Sequence, residues 1–223
     1  TNHSLSQEEE WQVNEMKALL LNERGNQDEF LPIWYKLLKQ YREADKPEEV
    51  GKCLLTIASH FVMLEDYDNA LPLYKEAYQL AVEHEFVDLQ KSSGIMLVKY
   101  LCGAGDYSKS LEYYNKINPE IALVPSMQNE VVKSYMELNK PDSARIYLAE
   151  RLLLEGGDKI FLNCMMAETY IPEGQEDSAF IFLDRAMESY KEKKKYYQGK
   201  DREVVLPGYF LSTCYLFADL LWK

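Results

Sequence analysis

One segment of this chain nearly repeats itself. Asp142-Ser143-Ala144-Arg145-Ile146-Tyr147-Leu148 returns 35 residues later as Asp177-Ser178-Ala179-Phe180-Ile181-Phe182-Leu183. A second echo pairs Leu31-Pro32 and Trp34 with Leu71-Pro72 and Tyr74, 40 residues on. Self-similarity at a period of 20–50 residues constrains a fold more than any local propensity, because it implies stacked copies of one supersecondary unit. With Phe30, Ala70, Ser110, Ala144 and Ala179 as equivalent anchors, the spacings are 40, 40, 34 and 35.

Positions not used to choose the anchors obey the same register. Four residues after each lie Trp34, Tyr74, Tyr114, Leu148 and Leu183, all bulky. Nine before lie Leu21, Phe61, Leu101, Tyr135 and Tyr170, also bulky. Twelve before lie Ala18, Ala58, Val98, Val132 and Ala167, small enough for two helices to cross closely. Two before lie Asp28, Asp68, Ser108, Asp142 and Asp177, residues able to cap a helix start through a side-chain oxygen. The unit predicted is a pair of antiparallel helices, each burying its apolar stripe only when neighbouring units stack. Apolar spacings of three and four residues run through both helices, as in Leu54, Ile57, Ala58, Phe61 and Leu71, Tyr74, Ala77, Tyr78.

Punctuation fits this pattern. Pro47, Pro119, Pro125, Pro141, Pro172 and Pro207 fall at expected helix ends or turns, and Pro32 and Pro72 in expected first turns. Gly25, Gly103, Gly105, Gly156, Gly157 and Gly174 fall between helices. Ser6 with Glu9 forms a capping box. No stretch alternates with a strand's two-residue period, so the chain is expected to be all-α.

The set Leu54, Ile57, Ala58, Phe61, Ala70, Tyr74 and Ala77 resembles the tetratricopeptide repeat signature. The fourth and fifth units match through Val132, Tyr135, Ala144, Leu148 and Ala167, Tyr170, Ala179, Leu183, Ala186. The third is weaker at Gly94 and Ser110, and the first carries Phe30 where the family prefers Ala. The resemblance spans about residues 7–195. It implies a right-handed α-solenoid of about five hairpins (7–45, 46–85, 86–120, 124–156, 158–198) after a polar tether at 1–6. Residues 201–223 would be a capping helix or the first helix of a sixth unit, with Leu211-Ser212 and Tyr215 in repeat positions.

The family mostly binds proteins and peptides on its concave face, which the first helix of each unit lines. Projecting the repeat places Leu55, Ser59, Val62 and Met63 there, then Ile95, Lys99 and Cys102. The fourth unit adds Asn129, Lys133 and Met136, and the fifth Phe161, Cys164 and Glu168. Lysines among Met, Ile and Phe suit an extended or helical peptide carrying a carboxylate and apolar anchors. The plain alternative for several of these positions is packing between repeats. Leu55 and Ser59 stand where the carboxylate clamp of some relatives would need Lys and Asn. The turns and polar start also loosely resemble extracytoplasmic repeat arms of Gram-negative lipoproteins and membrane-bound regulators. That likeness implies a periplasmic or outer-membrane-anchored setting, with a lipid anchor or membrane helix outside these residues.

Chemistry is sparse. The three histidines, His3, His60 and His84, show no metal spacing, and Cys53, Cys102, Cys164 and Cys214 include no close pair. No Walker loop, nucleophile elbow or dinucleotide fingerprint occurs. No cofactor and no catalysis are expected. The formal charge of −12, from 37 acidic and 25 basic residues, opposes nucleic acid and anionic membranes. Lys193-Lys194-Lys195-Tyr196-Tyr197, with Lys200 and Arg202, is the one basic patch; its position at an expected helix C-terminus explains it without a ligand. The expectation is a non-catalytic protein- or peptide-binding scaffold, the sensor arm of a larger assembly. The rival is a small-ligand or glycan-binding solenoid using the chain's 17 tyrosines and 3 tryptophans.

Overall fold

The computed structural model describes residues 5–117, 127–154, 158–198 and 205–221. Helices pack in consecutive pairs, and no strand occurs among the described residues. The chain divides into two compact units, 1–122 and 123–223.

The first unit holds α1 (Gln7–Glu23), α2 (Gln27–Glu43), α3 (Pro47–Met63), α4 (Tyr67–Glu83), α5 (Val87–Gly103) and α6 (Tyr107–Lys116). Successive helices start 20 residues apart, and the first five are each 17 residues long. The cause is one turn used repeatedly. Gly25, Asp45, Glu65, Glu85 and Gly105 all take positive φ, between 53° and 81°. After each, a backbone N–H reaches back five residues, as Asn26 to Leu21 (2.9 Å) and Asp66 to Phe61 (2.9 Å). This is the Schellman closure, which satisfies orphan carbonyls at a helix end.

The second unit holds α7 (Gln128–Glu137), α8 (Pro141–Leu152), α9 (Lys159–Tyr170), a 3₁₀ turn (Ile171–Glu173), α10 (Glu176–Tyr197) and α11 (Gly208–Leu221). Asn139 and Gly174 repeat the positive-φ turn, closed by Lys140 to Tyr135 and Gln175 to Tyr170.

All five anchors are buried, as are Ala18, Ala58, Val98, Val132 and Ala167 opposite them. Where the third repeat has Ser110 instead of Ala, its hydroxyl donates to the Val98 carbonyl at 2.8 Å, satisfying the polar group within the crossing. Gly94 lies close to Ile117, whose side chain an added Cβ would meet at 3.0 Å.

Three local expectations need correction, the first two for one reason. The true helix caps lie two residues before the expected ones. Asp66 and Asp106 are the true caps, accepting from Asn69 and Lys109 N–H groups, both at 3.3 Å. Asp68, Ser108, Asp142 and Asp177 instead occupy second helical positions, as does the backbone of Asp28. There the macrodipole still favours a carboxylate. Pro32 and Pro72 consequently sit at the sixth helical residue, inside the helix, where each removes one ladder bond. Gly103 closes α5 rather than lying in the turn. Gly156, Gly157, Pro119 and Pro125 lie outside the described residues. The Ser6–Glu9 capping box forms as expected.

Candidate functional site

The first helices of the first unit meet through a missing side chain. Gly51 on α3 leaves room for Leu89 on α5, whose Cδ2 would lie 2.1 Å from an added Cβ. Beside this contact runs a surface groove of about 340 Å³, lined by Lys52, Leu55, Phe86, Val87, Leu89 and Ser92 among others. Its rim carries the Glu48–Lys52 pair at 2.7 Å, and the bond to Glu48 raises the Lys52 pKa.

Leu55 is half-buried in that groove. One turn on, the exposed Ser59 shares a 3.0 Å hydrogen bond with the Tyr74 hydroxyl. Val62 is half-buried, and Met63, the last residue of α3, is exposed. On α5, Ile95 is half-buried and Lys99 exposed, while Cys102 belongs to the core. Leu55 and Ile95 hold the same repeat position, as do Ser59 and Lys99.

In the second unit, Asn129 and Lys133 are exposed on α7 and Met136 is half-buried. The fifth repeat differs from expectation, because α11 covers the same side of α9. Phe161 meets Tyr209 edge-on at 5.2 Å, and Glu168 accepts from the Thr213 hydroxyl at 2.7 Å. Cys164 is buried in a cluster with Phe210. Asp158, the N-cap of α9, also accepts from the Tyr209 hydroxyl at 2.9 Å. Desolvation and that bond push the Tyr209 pKa up. Phe210, Thr213 and Cys214 face the hairpin, and Leu211, Ser212 and Tyr215 face outward.

A second cavity, of about 490 Å³, lies between the start of α9 and the end of α10, lined by Asp158, Lys159, Ile160, Ser189, Lys193 and Tyr196 among others. It takes in part of the basic patch; Lys200 and Arg202 lie outside the described residues.

The reactive side chains are sequestered. His60 is buried under the Phe30 ring at 4.8 Å, with neither ring nitrogen hydrogen-bonded, and burial lowers its pKa. His84 caps α4 and stacks on Phe86; His3 lies outside the described residues. Burial pushes the Cys53 and Cys164 thiols up to about 12, leaving them protonated at neutral pH. No group of three His, Cys, Asp or Glu suited to a metal occurs among the described residues. No described helix is long and apolar enough to cross a membrane.

No protein-family model matches the chain, and no curated protein sequence does. Among solved structures, BtubC (BKLC) from P. vanneervenii matches with a TM-score of 0.62 at 16% identity, over 87% of this chain and 85% of that one. TTC0263, a thermophilic TPR protein from Thermus thermophilus, matches at 0.41 and 17% identity, over 96% and 100%. The P58(IPK) TPR domain matches at 0.41 and 15%, over 96% and 66%. Within this chain, every hairpin buries a small residue opposite its anchor, and consecutive hairpins follow one register. The fold is tetratricopeptide-like. The α3–α5 groove is formed by first helices, and of the residues projected to the concave face Leu55 alone lines it.

Proposed function

We propose that the chain is a non-catalytic scaffold that holds a protein or peptide segment on the first-helix faces of its repeats, as the interaction arm of a larger membrane-associated regulator. The groove between α3 and α5 carries this reading, since it sets apolar Leu55, Phe86 and Val87 beside Lys52, Glu48, Asp88 and Ser92 in one open channel. Such a channel accepts an extended or helical segment with apolar anchors. The membrane-associated setting rests on the resemblance of the repeat turns alone. Glycan binding draws less support, because Trp11, Trp34, Tyr41, Tyr74 and Tyr78 are core residues and the exposed Tyr35, Tyr67, Tyr196 and Tyr215 lie on four different helices. Buried, protonated thiols and a sealed histidine give the non-catalytic reading its support.

Selection of displayed peptides on the purified chain tests the groove. Lys52→Glu combined with Lys99→Glu, on the first helices that form the groove, should weaken the selected peptides at least tenfold, since reversing these charges spoils the electrostatic match on which they dock. Lys193→Glu with Lys194→Glu changes charge equally on α10 and should leave them bound. The opposite pattern would move the site to the basic end of α10.

A further inference from the structure

The α3–α5 groove has a counterpart one repeat earlier. Glu8, Gln12, Lys46 and Glu49 line a groove of about 220 Å³ between α1 and α3. The residues 40 positions on, Glu48, Lys52, Phe86 and Leu89, line the α3–α5 groove. The two differ in chemistry because two positions differ in size. Leu89 fills the space over Gly51. In the earlier groove Trp11 stands at the Gly51 position and Glu49 at that of Leu89, so a carboxylate replaces the apolar plug.

Three carboxylates meet there, and two are answered. Glu8 accepts from Lys46 at 3.1 Å, and Glu15 accepts at 2.8 Å from the hydroxyl of Tyr41, which also lines the groove. Glu49 is half-buried and enters no ion pair or hydrogen bond among the described residues. Lys52, the nearby cation on α3, is bonded to Glu48 instead. A place in the first turn of α3 explains a carboxylate at this position, but not its setting inside a groove. Trp11 lines the same groove at 5% exposure, and its Nε1–H has no acceptor. An anion without a counter-ion and a donor without an acceptor thus share one site. An arginine or lysine residue of a peptide presents both complements, a cation on its side chain and an acceptor in its own carbonyl.

We propose that the α1–α3 groove receives an arginine or lysine of the segment whose apolar residue seats in the α3–α5 groove, about three residues away along an extended chain. The inference rests on the groove reading above and adds the segment's charge and spacing. Packed helices lie about 8–10 Å apart and an extended chain advances about 3.3 Å per residue, which sets that interval. The cation enters on the α1 side of α3, whereas Lys52 and Lys99 belong to the α5 side, so the segment binds in one direction.

The probe is an array of short synthetic peptides, each with one leucine fixed in an alanine background and every other position varied singly, bound to the intact chain. Arginine or lysine three residues from the leucine, on one side only, should raise binding at least tenfold over alanine there. Glu49→Gln should erase that preference. Gln12→Lys, an exposed substitution in the same groove, should do so too and repeats the test if Glu49→Gln disturbs folding. Asp88→Asn, at an exposed carboxylate of the α3–α5 groove, should leave the preference intact. Binding with no cationic preference, or with one that survives both α1–α3 substitutions or is lost in Asp88→Asn, overturns this inference and leaves the groove reading standing. Failure of every peptide to bind overturns both.

Discussion

The two units solve one stacking problem with different chemistry. In the first, five helices of 17 residues and a sixth of 10 start every 20 residues, and the residue after each anchor is Leu31, Leu71 or Leu111. Contact between repeats there is mainly apolar and aromatic, as Phe30 on His60 and Tyr74 on Tyr100, joined by an exposed Arg42–Glu76 ion pair and a bond from the Tyr78 hydroxyl to the Lys116 carbonyl. In the second, α8 and α9 are only 12 residues long, and the residue after the anchor is Arg145. Its guanidinium bonds Asp142, Glu173 and both the hydroxyl and carbonyl of Thr169, and lies 3.9 Å from the centre of the Tyr170 ring. A shorter helix offers less apolar area, and a multivalent cation that is mostly shielded supplies specific bonds in its place.

The largest effects should come where the units agree. Ala70→Asp or Ala144→Asp would bury a carboxylate at a close helix crossing and cost several kcal/mol, on the order of 3–5. Chemical denaturation with hydrogen exchange should locate the loss in the first unit for Ala70→Asp and in the second for Ala144→Asp. Equal loosening of an exposed control, Lys193→Ala, would discredit the shared register. Arg145→Ala separates the units: loss of charged hydrogen bonds should destabilise the second by about 1.5–3 kcal/mol. Protection of α3–α5 in exchange should stay unchanged.

The first unit has its own weakness in His60. Burial lowers its folded pKa below the ordinary value of 6.5, so the unfolded chain binds the proton more readily. The stability this neutral ring permits is complete above pH 6.5 and declines as pH falls below it. His60→Leu should flatten that decline in melts between pH 7.5 and 5. A wild-type melt with no slope assignable to His60 would refute the argument. The smallest effect lies in the turns. Glu65→Gly should raise stability by roughly 0.5–1 kcal/mol, because a left-handed residue with a Cβ costs more than glycine's added chain entropy. Asn139→Gly in the second unit should gain less, since Asn tolerates that conformation.

How far the sequence could be read follows from these contacts. Small residues recur at helix crossings because the backbones approach there, so Ala18, Ala58, Ala70 and Ala144 were legible without coordinates. Helix starts were misplaced by two residues because an aspartate favoured by the helix dipole at a second position looks like a cap. The cover that α11 lays over Phe161, Cys164 and Glu168 left no local trace, since Tyr209 and Asp158 are 51 residues apart.

The 20-residue step sets what kind of length change the first unit can absorb. Removing residues 47–86 would join one left-handed turn to the next and keep first and second helices in alternation. Removing 47–66 would also join turn to turn, yet it would place two second-type helices side by side, with Tyr78 taking the place of Ala58. Gain or loss of length is therefore tolerated in pairs of helices, and the single helix, though it is the visible spacing of the backbone, is not the inheritable part.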